Sequence, residues 1–403
     1  MVDIVDLPAV RRASVKDAAA ARIRASATSA RPQSLTPLTD IDVDAWRALA
    51  ARAAEPNGYY LPDWELAVNA SVAGRTGASA LAAWHDKMLV GLLPVVSMRQ
   101  AYSIPLPALV SAHPYGTLCS PPLDHGMAVD AAATLMQAAR QSGARALVLR
   151  EVALDGGAMK AFNTVLRGEG LRRRVLQWHL RASLDATRDA DELLHDALGG
   201  GKLKELRRQR RRLAEQHGAV SFEVARSPQE VATALAAFLK LEASGWKGAR
   251  GTALAQVEGD AVFIRRATSA LAETGNCEIV TLRAGETPVA SGIVLRHQSR
   301  AFFFKLGVDE RFAKFSPGVQ LTLDLTRHLC ADPDIASADS TASADHPMIN
   351  PIWRGRFAIG DVLIPLATHN PVVPVIHAAL VARQSALEAA RRVVRLIRAL
   401  RRR

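Results

Sequence analysis

The run Ala301-Phe302-Phe303-Phe304-Lys305-Leu306-Gly307-Val308, followed by the loop Asp309–Phe315 and by Ser316-Pro317-Gly318-Val319-Gln320, decides how this chain is read. The first eight residues have the apolar, aromatic character of a strand, and the last five open a helix. Pro317 suits a first helical turn, where its missing N–H costs nothing, and Ser316 stands at the cap position. A helix start exposes unpaired N–H groups and a partial positive charge, so this order of elements can hold a pyrophosphate. Gly318 lets a ligand approach the backbone closely.

Working outward, the second half reads as helices Gln229–Glu242 and Asp260–Glu273, strands Cys277–Arg283, Pro288–His297 and Ala301–Val308, a helix Val319–Leu329 and a strand Ile335–Ser340. The turns Ala284-Gly285-Glu286-Thr287 and Gln298-Ser299-Arg300 join the three strands into a meander. The first half shows the same order: a helix with Trp46 and Leu49 after Asp44, a second after Pro62 with Trp64 and Leu66, then a hairpin of Ser79–Trp84 and Met88–Ser97. A Pro-rich stretch through Pro122 leads to a helix over Val129–Gln141, which Gly143 ends, and to a strand Ala146–Arg150. Met88–Pro94 and Thr287–Ile293 look like one element met twice, which indicates a duplicated unit.

A chain of 403 residues that is 49% hydrophobic has material for two cores. Pro, Gly or Arg interrupts every apolar run, so no membrane span is expected. Asp3 and Asp6, with no short apolar core beside them, argue against a secretory leader and point to the cytoplasm. Cys119, Cys277 and Cys330 have neither zinc-ligand nor disulfide-framework spacing, so no metal is expected. GxSxG, HExxH and Walker-type patterns are absent from the sequence, which counts against esterase, zinc-protease and P-loop chemistry.

The net charge of +12 calls for an anionic partner, and the surplus concentrates in Lys202–Arg212 and Arg391–Arg403. Leu203, Leu206 and Leu213 make the first of these a basic amphipathic helix. Either its leucines pack at the lobe junction while its arginines are solvated, or it meets phosphate or nucleic acid. His377–Arg403 has the composition of a helix lying on anionic lipid; docking on the protein or on a second copy fits the pattern too. The expected organisation is a disordered tail (1–36), a first lobe (37–185), a basic linking helix (186–220) jointed at Gly199-Gly200-Gly201, a second lobe (221–368) and a basic amphipathic C-terminal helix (369–403).

Leu241–Gly248, Pro288-Val289-Ala290, Gly307-Val308-Asp309, Ser316–Leu321 and Ile352-Trp353 together resemble the GNAT-like acyltransferase domain associated with cellulose and exopolysaccharide biosynthesis proteins. The same residues are similar to the Fem-type peptidyl transferases, which carry two GNAT lobes. The resemblance implies an α/β fold of two tandem GNAT-like lobes, each a mixed, mostly antiparallel sheet flanked by helices. It implies N-acyl transfer from acetyl-CoA or another acyl-CoA to an amine of a sugar, peptide or other envelope or polysaccharide precursor. By position, Lys305, Gly307, Val308, Ser316, Gly318, Val319 and Gln320 are expected at the co-substrate. The chain lacks the fuller Arg/Gln-x-x-Gly-x-Gly/Ala pattern of ordinary GNAT enzymes, and its first lobe lacks even this remnant, which suggests a structural or acceptor-binding lobe. Asp339 and His346 are the expected proton-transfer groups, and Trp246 and Lys247 are placed to close over the acceptor. The other reading is a non-catalytic protein of the same fold, docked to a polysaccharide-synthesis complex or peripherally on the inner membrane. A nucleic-acid partner is not expected.

Overall fold

The computed structural model describes residues 35–400, with the side chains of 246, 247, 391 and 394–400 outside the description. The tail expected over 1–36 lies outside it as well, apart from Leu35 and Thr36.

The first lobe opens with the edge strand β1 (Thr36–Pro37), the helices α1 (Val43–Ala51) and α2 (Pro62–Ser71), and the hairpin β2 (Ser79–His85) and β3 (Met88–Ser97). Then follow β4 (Ala108–Ser111), α3 (Ala128–Gln141), β5 (Ala146–Ala153), α4 (Gly157–Gly168) and β6 (Arg174–Asp185). The linking helix α5 (Ala190–His217) breaks at Gly199, whose φ of 73° and ψ of 159° are non-helical. Its Leu203, Leu206 and Leu213 are buried in the second lobe's core, and Lys204, Arg207, Arg208 and Arg212 are exposed. The second lobe holds β7 (Val220–Ala225), α6 (Pro228–Ser244), α7 (Glu258–Glu273), the meander β8 (Cys277–Ala284), β9 (Thr287–His297) and β10 (Arg300–Val308), then α8 (Pro317–Cys330), β11 (Ser337–Asp339) and β12 (Gly355–Pro365). The chain ends in α9 (Val372–Leu400).

All the strands join one twelve-stranded sheet in the order β1-β2-β3-β4-β5-β12-β6-β11-β10-β9-β8-β7. Each half contains one parallel pair, β4 with β5 and β10 with β11, within otherwise antiparallel neighbours. The halves exchange strands at the centre. Strand β6 pairs with β11, and β12 inserts between β5 and β6, which makes the sheet continuous across both lobes. Six of these elements, β1, β4, α4, β6, β7 and β12, go beyond the elements read from sequence. The four residues of β4 are too few for a periodic signal, and β6 reads Arg-Val-Leu-Gln-Trp-His-Leu-Arg at its start, with too many polar residues to announce a strand.

A shared apolar cluster also ties the lobes. Tyr59, Leu61 and Trp64 from the first pack with Phe238, Phe263, Leu295 and Phe302 from the second, all nearly fully buried. The Trp64 ring meets Phe263 and Phe304 edge-on, each with centroids 4.9 Å away, and its indole N–H donates to the Pro114 carbonyl. Gly116 is needed there, because a Cβ at that position would sit 2.2 Å from the Tyr59 ring.

A histidine latch closes the other side of the junction. The Asn57 N–H donates to Nδ1 of His297 at 2.9 Å, so the neutral ring carries its proton on Nε2, which faces the Ala50 carbonyl at 3.0 Å. Burial pushes this imidazole down to about 4. A histidine held neutral in the fold protonates first in the unfolded chain. Its contribution is therefore complete above about pH 6.5 and is lost as pH falls toward the folded value. Urea unfolding between pH 7 and pH 4.5 is expected to show falling stability, and His297→Gln should flatten that dependence by about one proton. Equal slopes in the two proteins would mean that the latch does not titrate.

Candidate functional site

Parallel strands β10 and β11 run side by side for three residues only, Arg300–Phe302 against Ser337–Asp339. Beyond Phe302 they part, because β11 stops at Asp339 while β10 continues to Val308. A bulge in β10 falls at the same place: Phe303 is opposite Val294 and Lys305 opposite Ile293, which leaves Phe304 without a cross-strand partner. The fork opens into a cavity of about 340 Å³. Phe304 to Val308 form one wall and Ser340, Thr341 and Ala342 the other, with His346, Met348 and Glu242 around it.

Three interactions hold the fork in shape. At its apex Thr341 adopts φ 50°, a strained conformation for a β-branched residue. Its N–H donates to Asp339 Oδ1 at 2.7 Å and its hydroxyl to the Phe303 carbonyl at 2.6 Å, so it staples the two strands where they separate. Asp339 is fully buried, and its other oxygen accepts from Arg181 Nη1 at 3.1 Å. Arg181, itself 1% exposed, reaches across from β6 and also donates to the Thr117 carbonyl at 2.6 Å. Lower in the cavity Lys305 Nζ lies 3.4 Å from Oε1 of the buried Glu242, whose Oε2 accepts the Leu254 N–H. The ammonium also stands over the Tyr115 and Phe304 rings, at 5.7 Å from each.

The sequence-expected residues divide into groups. Lys305, Gly307, Val308 and His346 line the cavity. Asp339 lies behind the apex and has both oxygens committed. Ser316, Gly318, Val319 and Gln320 stand at the start of α8, beside the cavity and not among its lining residues. Gly318 packs against the back of the wall, where a Cβ would meet Leu306 and Val308 at 3.2 Å and Met348 at 3.3 Å. Gln320 donates its amide to the Leu206 carbonyl at 2.8 Å and so fastens α8 to α5. The backbone of Trp246 and Lys247 forms a short helical turn after Gly245, which lines the cavity. Sequence reasoning gave no role to Arg181, Thr341 or Glu242. Glu242 stood within the resemblance; Arg181, in an arginine-rich stretch 158 residues from its partner, gave no signal.

His346 Nδ1 accepts the N–H groups of Met348 and Ile349, both at 3.4 Å, which puts the proton of its neutral ring on Nε2. No group of three His, Cys, Asp or Glu suited to a metal occurs among the described residues.

A parallel pair that splays beside a bulged strand, followed by a helix start, is the arrangement of the GNAT fold; the second lobe carries it, and the first repeats the parallel pair on the same sheet. Residues 201–346 match the family described as acetyltransferase (GNAT) domain. Among solved structures, FemX is 13% identical over 84% of this chain and 98% of its own, with a TM-score of 0.53. The C-terminal domain of a putative lysylphosphatidylglycerol synthetase from Agrobacterium fabrum is 14% identical over 84% and 95%, with a TM-score of 0.50. A conserved protein of unknown function from Bacteroides thetaiotaomicron is 11% identical over 81% and 98%, with a TM-score of 0.51. The comparison with curated proteins found no match.

The Arg181–Asp339 pair should be a large contributor to folding, since removing one partner strands a buried charge. Asp339→Asn is expected to lower the unfolding free energy by about 3 kcal/mol in urea titrations. A loss below about 1 kcal/mol would show that the guanidinium finds another partner and that the pair does not hold the fork.

Proposed function

We propose that the chain is an N-acyltransferase that takes its acyl group from an acyl-CoA and delivers it to an amine of a sugar, peptide or other envelope precursor. The observation that supports this most directly is the open fork of β10 and β11 at a bulge. There the Phe304 backbone can point an N–H at a thioester carbonyl, and the developing oxyanion is stabilised by a group already in place. The pantetheine arm runs between Lys305–Val308 and Ser340–Ala342, and the diphosphate lies toward the first turn of α8, at Ser316, Gly318 and Val319. The amine attacks the carbonyl carbon, the C–S bond breaks, and the proton lost by the attacking nitrogen passes to the leaving thiolate, giving an amide and free CoA; His346, on the cavity wall, is placed to relay that proton. Asp339 acts through Thr341, whose position it sets, and Trp246 and Lys247 border the acceptor's entrance.

Filling the cavity tests this reading. Ala342→Phe places a ring in the pantetheine path from a half-buried position and should abolish acetyl-CoA binding by calorimetry, whereas the parent binds saturably. A parent that binds no acetyl-CoA at concentrations on the order of 1 mM would assign the chain to the alternative, a non-catalytic accessory of a polysaccharide-synthesis complex.

We further propose a peripheral contact with anionic membrane through α9. Val373, Ile376 and Leu380 anchor its first turns on the first lobe, beside Met98, Val110, Val148 and Leu363. Farther on, Leu387 and Val393 are 41% and 53% exposed, and the sequence after Glu388 holds seven arginines and no acid. Two such helices repel one another, which favours an anionic surface over a second copy. No helix among the described residues is long and apolar enough to cross a membrane. The full chain should float with vesicles containing phosphatidylglycerol and not with phosphatidylcholine alone, and replacing Arg391, Arg392, Arg395 and Arg398 by Gln should remove the association. Flotation that ignores lipid charge would refute it.

A further inference from the structure

The first lobe has a fork of its own, between β4 and β5, and its surroundings are cationic. Strand β5 carries Arg150, whose guanidinium lies 5.8 Å from the centre of the Tyr102 ring, and Arg383 from α9 stands 4.3 Å from the same ring. On the other side of the fork Arg75 donates to the His113 carbonyl at 3.1 Å and lies 5.2 Å from the Tyr115 ring. None of the three arginines is within 4.0 Å of a carboxylate among the described residues, although each is at least half-buried. Each guanidinium brings five donors, and the only described side-chain hydrogen bond among the three is the one from Arg75.

The acids nearby are engaged elsewhere or pushed toward their neutral form by burial. Asp361 accepts from the Gln177 amide and from the Glu151 N–H, and Asp260 accepts the Tyr115 hydroxyl. Burial raises Glu151, and it raises Glu65 well above the ordinary carboxylate value. The arginines act on their neighbours: burial and then Arg150 lower Arg75, while burial and then both guanidinia push His113 down to about 3. Like charges gathered at low dielectric oppose folding unless something of opposite sign joins them.

We propose that Arg75, Arg150 and Arg383 form an anion site in the first lobe that takes a phosphate group. Arg150 and Arg383 share the Tyr102 ring and Arg150 acts on Arg75, so three guanidinia on separate segments lie in one neighbourhood, which suits the several oxygens of a tetrahedral phosphate better than a planar carboxylate, which one bidentate arginine satisfies. Tyr115 connects this site to the cavity of the second lobe, since Arg75 stands over its ring and so does Lys305, at 5.7 Å. On the acyl-transfer reading, on which this last step rests, the acceptor is a phosphorylated molecule whose amine reaches the β10–β11 fork while its phosphate stays in the first lobe.

Titration of inorganic pyrophosphate into the full chain tests the site without any acyl chemistry. Saturable binding is expected, weakened about tenfold by Arg150→Gln and by Arg383→Gln. The second variant alters a residue on an outer helix, so its melting temperature should stay within about 2 °C of the parent. Ala342→Phe, which blocks the second-lobe cavity, should leave pyrophosphate binding unchanged while removing acetyl-CoA binding. The proposal is overturned by a parent that shows no saturation at concentrations on the order of 10 mM, or by arginine variants that bind pyrophosphate as tightly as the parent. Citrate binding tighter than pyrophosphate, or pyrophosphate binding lost in Ala342→Phe, would overturn it as well.

Discussion

A single buried ion pair sits where every layer of this molecule meets. Arg181 belongs to β6, in the first half of the chain, and Asp339 ends β11, in the second. Both side chains are 1% exposed, a setting in which desolvation costs several kcal/mol per ion and only good geometry with added hydrogen bonds offsets it. The fold supplies those bonds. Thr341 N–H and the Thr117 carbonyl add two bonds to the pair, the Phe357 ring lies 5.8 Å from the guanidinium, and Arg181 Nε is buried without a hydrogen-bond partner. The same Thr341 fixes the point where β10 and β11 part, so the interaction that joins the lobes also sets the mouth of the cavity.

What could be read beforehand follows from the range of each contact. The meander Cys277–Val308 and the helix after Pro317 were legible to within a few residues, because hairpin turns, apolar runs and a proline at N1 are local signals. Lys305, Gly307 and Val308 came with them, since consecutive residues of one strand share a wall. Strand β12 carries Phe357, Ile359, Val362 and Ile364, yet its place depends on β5 and β6, roughly 180 to 210 residues away, and nothing local names such partners. Gln320 shows the converse. Its position at the start of a helix fits a phosphate loop, but its amide is taken by the Leu206 carbonyl, a contact between elements that sequence spacing does not encode.

The two forks are built alike and finished differently. In each, a parallel pair runs for three residues and a non-glycine residue of positive φ follows on the arriving strand: Glu151 at 43° and Thr341 at 50°. Such strain persists only where the surroundings over-determine it. In the second lobe Thr341 bridges the apex and leaves the rest open. In the first the loop after β4 returns to fill the gap, with Cys119 N–H donating to the Glu151 carbonyl, Arg150 N–H to the Ser111 hydroxyl and Ala153 N–H to the Ser120 hydroxyl.

That difference bears on the two roles proposed for one repeated plan. A fork filled by its own loop leaves no slot between its strands, and its neighbourhood holds Arg75 over the Tyr115 ring and Arg150 and Arg383 over the Tyr102 ring. An open fork keeps the slot and closes its lower end with the Glu242–Lys305 pair. Because β6 and β12 weld both forks into one sheet, the distance between slot and cationic cluster is fixed by strand spacing at about 4.8 Å per strand and not by a hinge. On the proposed acyl-transfer reading, a substrate gripped in one lobe would be measured against the other by a fixed spacing, a specificity device that two separately mobile lobes would lack.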